Sequence, residues 1–372
     1  MSKSAIVIGA GIVGLATARA LSEKEYSVTV FERNEKAVGA SIRNFGMVWP
    51  IGQPLGKLYE RAMRSRAIWK QSAEEGNIWF DEAGSLLNVY HDDELAVIEE
   101  FVAINQGHRE CAILTKTQTT EKSPATNPKG LKASLWSPTE LIVDPREAIE
   151  KLPAYLTSKY GIQFHFNKAI SRIESLKAYS GREVYEADLI VVCSGADFET
   201  LYPEVFSASG ITKCKLQMLR TIAQDDDWKI GPALSGGLTL THYGAFDACS
   251  SLAALKARVE KEMPEYVKWG IHVMISQNGL TEITIGDSHE YGLVHDPFDR
   301  DEINQLIMYY LHKFTQIQNL EIGQTWNGIY PKLKGKTEFV TSPEGGVTII
   351  NGLSGAGMTL SFGLAEEVVA GL

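Results

Sequence analysis

The stretch that decides the fold is Ala5-Ile6-Val7-Ile8-Gly9-Ala10-Gly11-Ile12-Val13-Gly14. Its apolar beginning, Ala5–Ile8, predicts a short buried strand, and the apolar spacing beyond Gly14 predicts a helix that runs to about Lys24. The run Val28–Glu32 predicts a second strand. Three glycines at this spacing, between the strand and the helix of one βαβ unit, predict a dinucleotide-binding turn.

Each part of this turn has its own physical role. Gly9 permits the tight turn, and Gly11 lets the backbone approach a pyrophosphate that rests on the helix N-terminus. Glu32 lies 18 residues beyond Gly14, at the end of the second strand, where a carboxylate accepts hydrogen bonds from a ribose. The alternative is a glycine-rich turn without a ligand, and the combination of strand, helix and acid favours the dinucleotide.

The bulk properties exclude several other classes of protein. A chain of 372 residues predicts two domains, because single cores rarely grow that large. The net charge of −10, from 36 basic and 46 acidic side chains, disfavours binding to nucleic acid or to anionic membranes. Outside the N-terminal run Ala5–Ala20, which is interrupted by glycines and lacks a clear cleavage site, no stretch of about 20 apolar residues predicts a membrane span.

The cysteines indicate the compartment. No two of them have the spacing of metal ligands or of a redox pair, and we expect neither a disulfide framework nor a metal site. A reducing cytoplasm is therefore the expected location. The cysteines are Cys111, Cys193, Cys214 and Cys249.

The later part of the chain predicts a second domain rich in strands. Past about residue 210, strand-like runs recur, among them Leu216–Ala223, Gly237–Tyr243 and Glu282–Gly286. The segment Lys116–Ser137 is rich in Thr, Lys, Pro and Ser and predicts an exposed connection.

Three features favour FAD over NAD as the dinucleotide. The stretch Glu32–Gly39 leads into a small-residue turn, Gly39–Ser41, and the apolar strand within Ala187–Ala196 ends in another. The glycine-rich turn Gly352–Gly357 opens a second helix, whose N-terminal dipole can face a flavin. A glycine hinge before a packing helix is the alternative interpretation of that last turn.

These segments, taken in order, resemble the D-amino-acid oxidase, glycine oxidase and sarcosine oxidase family over essentially the whole chain. The resemblance implies an α/β fold, with a doubly wound FAD-binding domain and a second, α+β domain whose antiparallel sheet covers the flavin. The implied FAD-binding domain comprises residues 1–80, 141–214 and 325–372, and the substrate-binding domain comprises 81–140 and 215–324. The cofactor-binding residues expected from it are Gly9, Gly11, Ile12, Val13, Gly14, Glu32, Arg33, Ala40, Ser41, Arg43, Asn44, Phe45, Gly46, Ile170, Ser194, Gly195, Gly355, Ala356, Gly357, Met358 and Thr359.

The substrate region departs from the family pattern. In glycine oxidases a Gly-Leu-Arg-Pro segment supplies an arginine that clamps the substrate carboxylate, and Tyr330 stands at that position within Trp326–Pro331. A second arginine of glycine oxidases matches Gly355. A bidentate arginine–carboxylate pair has a particular geometry that tyrosine cannot reproduce, so an α-amino acid held in the usual way is not expected.

Other side chains are candidates for the substrate site. The strings Ile42–Pro50 and Gly286–Gly292 resemble one clade of the family, associated with the breakdown of organophosphonates, in which oxidation of an aminophosphonate is proposed. Cationic candidates for holding such a group are Arg43, Arg220, Lys332 and the histidines, although a structural role for each histidine and a solvated loop position for Arg43 stay open. The expected catalytic residues are His289, His272, Tyr330 and Trp49, and the expected substrate-binding residues are Arg43, Met47, His242, Tyr243, Met274 and Lys332.

The resemblance implies a flavin that takes a hydride from the carbon beside the nitrogen of a small amine, and then passes electrons to oxygen or to another acceptor. The FAD is expected to be non-covalent, because the segment Trp326–Lys334 lacks the cysteine that attaches flavin in some relatives. The alternatives are an oxidase of glycine, sarcosine or a D-amino acid with a rewired carboxylate site, a flavin electron-transfer protein and an NAD-linked dehydrogenase.

Overall fold

The computed structural model describes residues 3–225 and 228–372. Its strands are β1 (Ser4–Ile8), β2 (Ser27–Phe31), β3 (Met47–Val48), β4 (Phe80–Asp81), β5 (Ser85–Val89), β6 (Ala112–Leu114), β7 (Ala133–Ser137), β8 (Leu141–Val143), β9 (Gln163–His165), β10 (Arg172–Glu174), β11 (Lys177–Ser180), β12 (Glu183–Glu186), β13 (Leu189–Val192), β14 (Thr212–Thr221), β15 (Ala233–Gly236), β16 (Met274–Gln277), β17 (Ile283–Gly286), β18 (Glu290–Gly292), β19 (Ile322–Lys332), β20 (Phe339–Glu344) and β21 (Val347–Asn351). Its α-helices are α1 (Ile12–Glu23), α2 (Lys57–Glu75), α3 (Asp92–Asn105), α4 (Lys116–Lys122), α5 (Pro145–Tyr160), α6 (Pro203–Ser209), α7 (Leu252–Glu262), α8 (Pro264–Lys268), α9 (Asp301–Phe314) and α10 (Gly357–Val369).

A six-stranded sheet, in the order β20-β21-β13-β1-β2-β9, contains the N-terminal strand at its centre. The strands from β21 to β9 run parallel, and only the edge strand β20 is antiparallel to its neighbour. Parallel strands are buried on both faces, which is why Ala5–Ile8 and Leu189–Val192 are continuous apolar runs. The core on one face of this sheet includes side chains of α1, α2, α5 and α10.

A second, larger sheet has the order β18-β14-β17-β16-β15-β5-β7-β6, with β19 also paired to β14. Its pairings are antiparallel except that between β5 and β15. It has its own hydrophobic core, which includes Phe101, Phe246 and Phe314. The expected fold class, α/β with a second unit that carries an antiparallel sheet, is confirmed.

Strands β14 and β19 cross the expected domain boundaries. They pair from Thr212↔Lys332 to Thr221↔Ile322, so residues 212–214 and 325–332 belong to the larger sheet and not to the six-stranded one. A strand pairs as a continuous ladder, and a boundary inside it would break hydrogen bonds. The rest of the proposed division into domains stays a prediction, and residues 1–2 and 226–227 of its ranges lie outside the described residues.

Two local expectations were wrong. Gly237–Thr241 forms a 3₁₀-helix instead of a strand. The segment Lys116–Ser137 is not simply an exposed connection, because it contains α4 and the largely buried strand β7, which lies between β5 and β6. In the described parts of the chain, none of the helices combines the length and the apolar character that a membrane span requires.

The sheet topology determines where the cavity forms. Strands β1, β2, β13 and β21 are parallel, so the residues that follow them gather at one edge of the sheet. In doubly wound folds, ligands bind at that carboxyl edge. The residues at this edge are Gly9, Glu32, Cys193 and Gly352.

Candidate active site

A cavity of about 580 Å³ is lined both by the carboxyl edge of the six-stranded sheet and by residues of the larger sheet. The expected cofactor residues that line it are Gly9, Gly11, Ile12, Val13, Glu32, Arg33, Ala40, Ser41, Arg43, Asn44, Phe45, Ile170, Ser194, Gly195, Gly355, Ala356, Gly357 and Met358. The expected substrate and catalytic residues that line it are Arg43, His242, Tyr243, His272, His289, Tyr330 and Lys332.

Some expected site residues lie behind the cavity wall. A Cβ at Gly14 would lie 1.9 Å from Gly9 O, so this glycine packs α1 closely on β1 instead of facing a ligand. The backbone N–H of Trp49 donates to Thr359 Oγ1 at 2.9 Å, and Met274 Sδ accepts from Tyr243 Oη at 3.4 Å. Met274 therefore supports Tyr243, which lines the cavity, whereas Trp49 and Thr359 contact each other behind its wall. The residues in this group are Gly14, Gly46, Met47, Trp49, Met274 and Thr359.

The glycine turn is shaped to receive a ligand. Gly9 has a φ of +104° and a Cβ there would lie 2.4 Å from Cys193 O, so only glycine fits this turn. A Cβ at Gly11 would meet only Ser41 Oγ, at 3.0 Å, because this position opens into the cavity. Ser41 Oγ also accepts from Ile12 N at 2.9 Å, at the N-terminus of α1. This cradle fits the pyrophosphate of a dinucleotide.

The acidic residue at the end of β2 is buried and held in place. Glu32 accepts hydrogen bonds from Ala10 N at 3.0 Å and from Asn34 N at 3.1 Å. The carboxylate of Glu32 lines the cavity, and these bonds do not use all of its oxygen lone pairs. It can therefore also accept hydrogen bonds from a ribose. The neighbouring Arg33 forms an ion pair with Asp197 and is not a free cation.

The loop after the Gly39–Ser41 turn is tied to the larger sheet. Arg43 donates to Val38 O and to Asn327 O, both at 3.0 Å, so it is not a solvated loop residue. Asn44 donates to Ala40 O at 3.0 Å and accepts from Gly46 N at 2.7 Å. The loop is therefore rigidly connected to β19, and the guanidinium of Arg43 is largely engaged by the backbone.

Three histidines and one aspartate meet on the side of the cavity formed by the larger sheet. The ring centroid of His242 lies 3.9 Å from that of His272 and 4.4 Å from that of His289. Asp287 Oδ1 is 3.3 Å from His272 Nε2, and Asp287 Oδ2 is 3.9 Å from His289 Nε2. We call His242, His272, Asp287 and His289 the imidazole cluster.

Burial determines the charge of the imidazole cluster. Desolvation by the surrounding protein lowers the pKa values of His272, which is buried, and of His242, whose ring faces the cavity, well below the usual range. The neighbouring imidazoles lower both values further. Burial also lowers the pKa of His289 to about 4, and it raises the pKa of Asp287 well above the usual range of a carboxyl. The imidazoles are thus neutral near pH 7, and His289 Nδ1 donates to Gly270 O at 2.8 Å.

Asp287 was missed by the sequence analysis. It lies inside the string Gly286–Gly292, two residues before the expected catalytic residue His289. No local spacing links Asp287 to His242, and the strand pairing of β17 with β14 and β16 is what orients this segment toward the cavity. Their proximity was therefore not readable from the sequence.

The two positions that lack arginine are adjacent in space. A Cβ at Gly355 would lie 3.7 Å from Tyr330 Oη, so a residue at 355 and one at 330 face the same point. Lys332 lines the same cavity. Burial is the main cause of the low pKa values of His242 and His289, and the positive charge of Lys332 lowers both values further. Arg220, by contrast, is buried outside the cavity in an ion pair with Glu282 at 3.1 Å.

A family model described as "FAD dependent oxidoreductase" matches residues 4–370. This match spans the six-stranded sheet, the larger sheet and both glycine-rich turns. It also separates FAD from NAD, the distinction that the glycine turn alone left open.

Solved structures share the fold over nearly the whole chain. L-proline dehydrogenase from P. horikoshii is 22% identical with a TM-score of 0.79, over 99% of this chain and 92% of that one. Glycine oxidase from Geobacillus kaustophilus is 17% identical with a TM-score of 0.75, over 100% and 95%. Iminodiacetate oxidase from Chelativorans sp. BNC1 is 16% identical with a TM-score of 0.73, over 99% and 94%.

Two curated relatives match about half of the chain. A glycerol 3-phosphate dehydrogenase from Caloramator mitchellensis is 25% identical over 202 residues, which are 51% of this chain and 41% of the relative. A D-amino acid dehydrogenase from Helicobacter pylori is 24% identical over 254 residues, which are 53% of this chain and 61% of the relative. The matches thus cover less than two thirds of either relative.

Proposed function

The chain belongs to the FAD-dependent oxidoreductase family, and we propose that it oxidises the C–N bond of a small amine that carries an anionic group, with an aminophosphonate as the first substrate to test. The observation that carries this proposal is a single cavity lined by both the glycine turn and the imidazole cluster. A dinucleotide and a small polar substrate would therefore meet there. The proposed site residues are the expected cofactor residues and the expected substrate and catalytic residues that line this cavity.

Within the described part of the chain, no arginine on the cavity wall is free, which supports a substrate other than a conventionally clamped amino acid. The arginines that line the cavity, Arg33 and Arg43, are engaged by Asp197 and by backbone carbonyls. Lys332 and Lys336, both on the cavity wall, are then cationic donors available to an anionic group, beside the imidazoles of His242 and His272. A phosphonate is tetrahedral and suits donors that converge from several directions better than the planar fork of an arginine.

The protein's own groups would hold the amine and exclude water. An amine beside the buried imidazole cluster is desolvated, which lowers its pKa and favours the uncharged form that oxidation requires. Tyr330 and Tyr243, both on the cavity wall, would orient the substrate. The imine product is hydrolysed by water to an aldehyde and to ammonia or an amine.

FAD, when bound, supplies the hydride acceptor, and oxygen or another acceptor takes the electrons afterwards. We propose that the FAD is held without a covalent bond. Burial raises the pKa of the Cys193 thiol, the cysteine on the cavity wall, to about 12, and its Sγ lies 3.8 Å from Thr17 Oγ1. Such a thiol is unreactive, which also agrees with the lack of a cysteine between Trp326 and Lys334.

The decisive experiment is anaerobic reduction of the enzyme-bound flavin, followed by its loss of visible absorbance. The compounds to compare are 2-aminoethylphosphonate and its N-methyl and hydroxyl derivatives against glycine, sarcosine and D-alanine. We expect the fastest bleaching with one of the phosphonates. Faster bleaching by the amino acids than by every phosphonate would instead identify an amino-acid oxidase, and a flavin that no amine reduces would indicate an electron-transfer protein.

A further inference from the structure

The imidazole cluster contains polar atoms that the protein leaves without partners. Among the described residues, His272 Nδ1 and Asp287 Oδ1 are buried and accept or donate no hydrogen bond. The side chains of His272 and Asp287 are only 4% and 9% exposed, so water from outside the cavity does not readily satisfy them. Buried polar groups in folded proteins almost always have partners, and exceptions indicate a missing ligand or a functional role.

We propose that His242, His272, Asp287 and His289 bind a divalent transition-metal ion. Three imidazoles and one carboxylate are the ligand types that Zn²⁺ and similar divalent first-row metals take in proteins. The candidate ligand nitrogens of the three histidines all lie within 4.8 Å of one another. All three side chains can therefore reach a single ion if their rings rotate toward a common centre.

The hydrogen bonding around the histidines agrees with this assignment. Gly270 O can only accept, so His289 Nδ1 must carry the proton in the bond between them at 2.8 Å. This leaves the lone pair of His289 Nε2 free, and that nitrogen is the one nearer to Asp287. Histidine ligands of metals are commonly held in this way, by a carbonyl or carboxylate on the other ring nitrogen.

The size of the cluster also suits a metal ion. At a metal–nitrogen distance of about 2.1 Å, two ligand atoms of a tetrahedral ion are about 3.4 Å apart. The candidate nitrogens lie within 4.8 Å of one another, so metal binding must draw them together by up to about 1.4 Å. The ring of His242 is exposed to the cavity and has room to make this movement. Asp287 Oδ1 is already 3.3 Å from His272 Nε2.

The metal would supply the positive charge that the two missing arginines do not. Four protein ligands fill a tetrahedral site, so an anionic oxygen of the substrate would bind as a fifth ligand or in place of the Asp287 carboxylate, beside Tyr330 and Lys332. This consequence rests on the proposed function, whereas the metal site itself does not.

The test uses the FAD-containing enzyme, stripped with a chelator and then titrated with Zn²⁺. Bound zinc is counted by elemental analysis after removal of free metal, and affinity is measured by calorimetry. We expect one Zn²⁺ per chain, and at least tenfold weaker binding in His272→Ala and Asp287→Asn. His312→Ala, which removes an exposed histidine on α9, is the matched control and should bind like the parent enzyme.

Substoichiometric zinc in the parent enzyme, or unchanged affinity in both cluster variants, overturns the proposal. Flavin content and thermal unfolding show whether a variant is folded, and His289→Gln replaces any variant that is not. Stoichiometric zinc that depends on the cluster supports the metal site even if no amine reduces the flavin, in which case only the proposed function fails. If an amine reduces the flavin but the enzyme binds no zinc, the proposed function stands and the metal site is refuted.

Discussion

The glycine turn and the imidazole cluster line the same cavity but are built in different ways. The turn takes Gly9, Gly11 and the N-terminus of α1 from six consecutive positions. The cluster takes its side chains from three separate segments between positions 242 and 289. His242 follows a 3₁₀-helix, His272 lies in the loop before β16, and Asp287 and His289 follow β17. A ligand bound by backbone amides needs only a local turn, whereas one bound by side chains needs the whole sheet.

The glycine turn and the imidazole cluster also differ in how completely their polar atoms are hydrogen-bonded. At the turn, Ser41 Oγ accepts from Ile12 N and Glu32 accepts from Ala10 N. In the cluster, Asp287 Oδ1 and His272 Nδ1 have no hydrogen-bond partner among the described residues. We therefore expect substitutions at the turn to remove the cofactor, and substitutions in the cluster to spare the cofactor and impair what binds beside it.

The largest effect is expected from Gly11→Val. The added side chain extends into the cavity, where it blocks approach of the pyrophosphate, yet it meets only Ser41 Oγ within the protein. The variant should fold and contain almost no FAD, as measured by visible absorbance and by thermal unfolding.

Gly345→Val is the matched control for this substitution. A Cβ at Gly345, an exposed position between β20 and β21, meets nothing within 4 Å. This variant should retain its FAD. A yellow, fully loaded Gly11→Val protein would contradict the assigned role of the turn.

His289→Ala should act on the other side of the cavity. It removes a buried imidazole that is hydrogen-bonded to Gly270 O, and the FAD should stay bound. Loss of a hydrogen bond to the charged group of the substrate costs about 1.5–3 kcal/mol. We therefore expect roughly tenfold to hundredfold slower reduction of the flavin at low substrate concentration. Anaerobic stopped-flow absorbance measures this rate, with the exposed His108→Ala as control. Loss of FAD from His289→Ala would remove the distinction between the two groups.

Lys332→Met tests the charge on the cavity wall. Removing the ammonium should raise KM for an anionic amine roughly tenfold and leave kcat nearly unchanged, because the lost interaction serves binding. The exposed Lys334→Met, outside the cavity, should leave KM unchanged. Equal effects of the two substitutions would indicate a general electrostatic influence instead of a contact.

The smallest effect is expected from Glu32→Gln. The amide keeps one acceptor oxygen but loses the charge that strengthens the hydrogen bonds from Ala10 N and from a ribose. A loss of about 1 kcal/mol corresponds to roughly fivefold weaker FAD binding, measured by titration of the apoprotein. Unchanged affinity would mean that Glu32 is only a structural acceptor.

Several sequence predictions were correct because they depended on neighbouring residues. The predicted strand Ala5–Ile8 is β1, which begins one residue earlier, and α1 ends at Glu23, one residue before the predicted Lys24. Gly237–Tyr243 was wrong because its apolar composition also suits a buried 3₁₀-helix, and only packing against the larger sheet distinguishes the two. Gly14 has the spacing of a ligand contact, but a backbone oxygen 1.9 Å from its would-be Cβ makes it a packing residue.

By itself, the sequence determined the βαβ unit, the glycine turn with Glu32 and the missing arginines at Tyr330 and Gly355. These features depend on residue type at short spacing, which sets backbone conformation and apolar periodicity directly. Only the tertiary structure decided that Tyr330 and Gly355 face each other, and that Asp287 meets three histidines. The ladders between β14, β17, β16 and β19 produce those contacts, and strand register over such sequence separations is set by packing of the whole sheet.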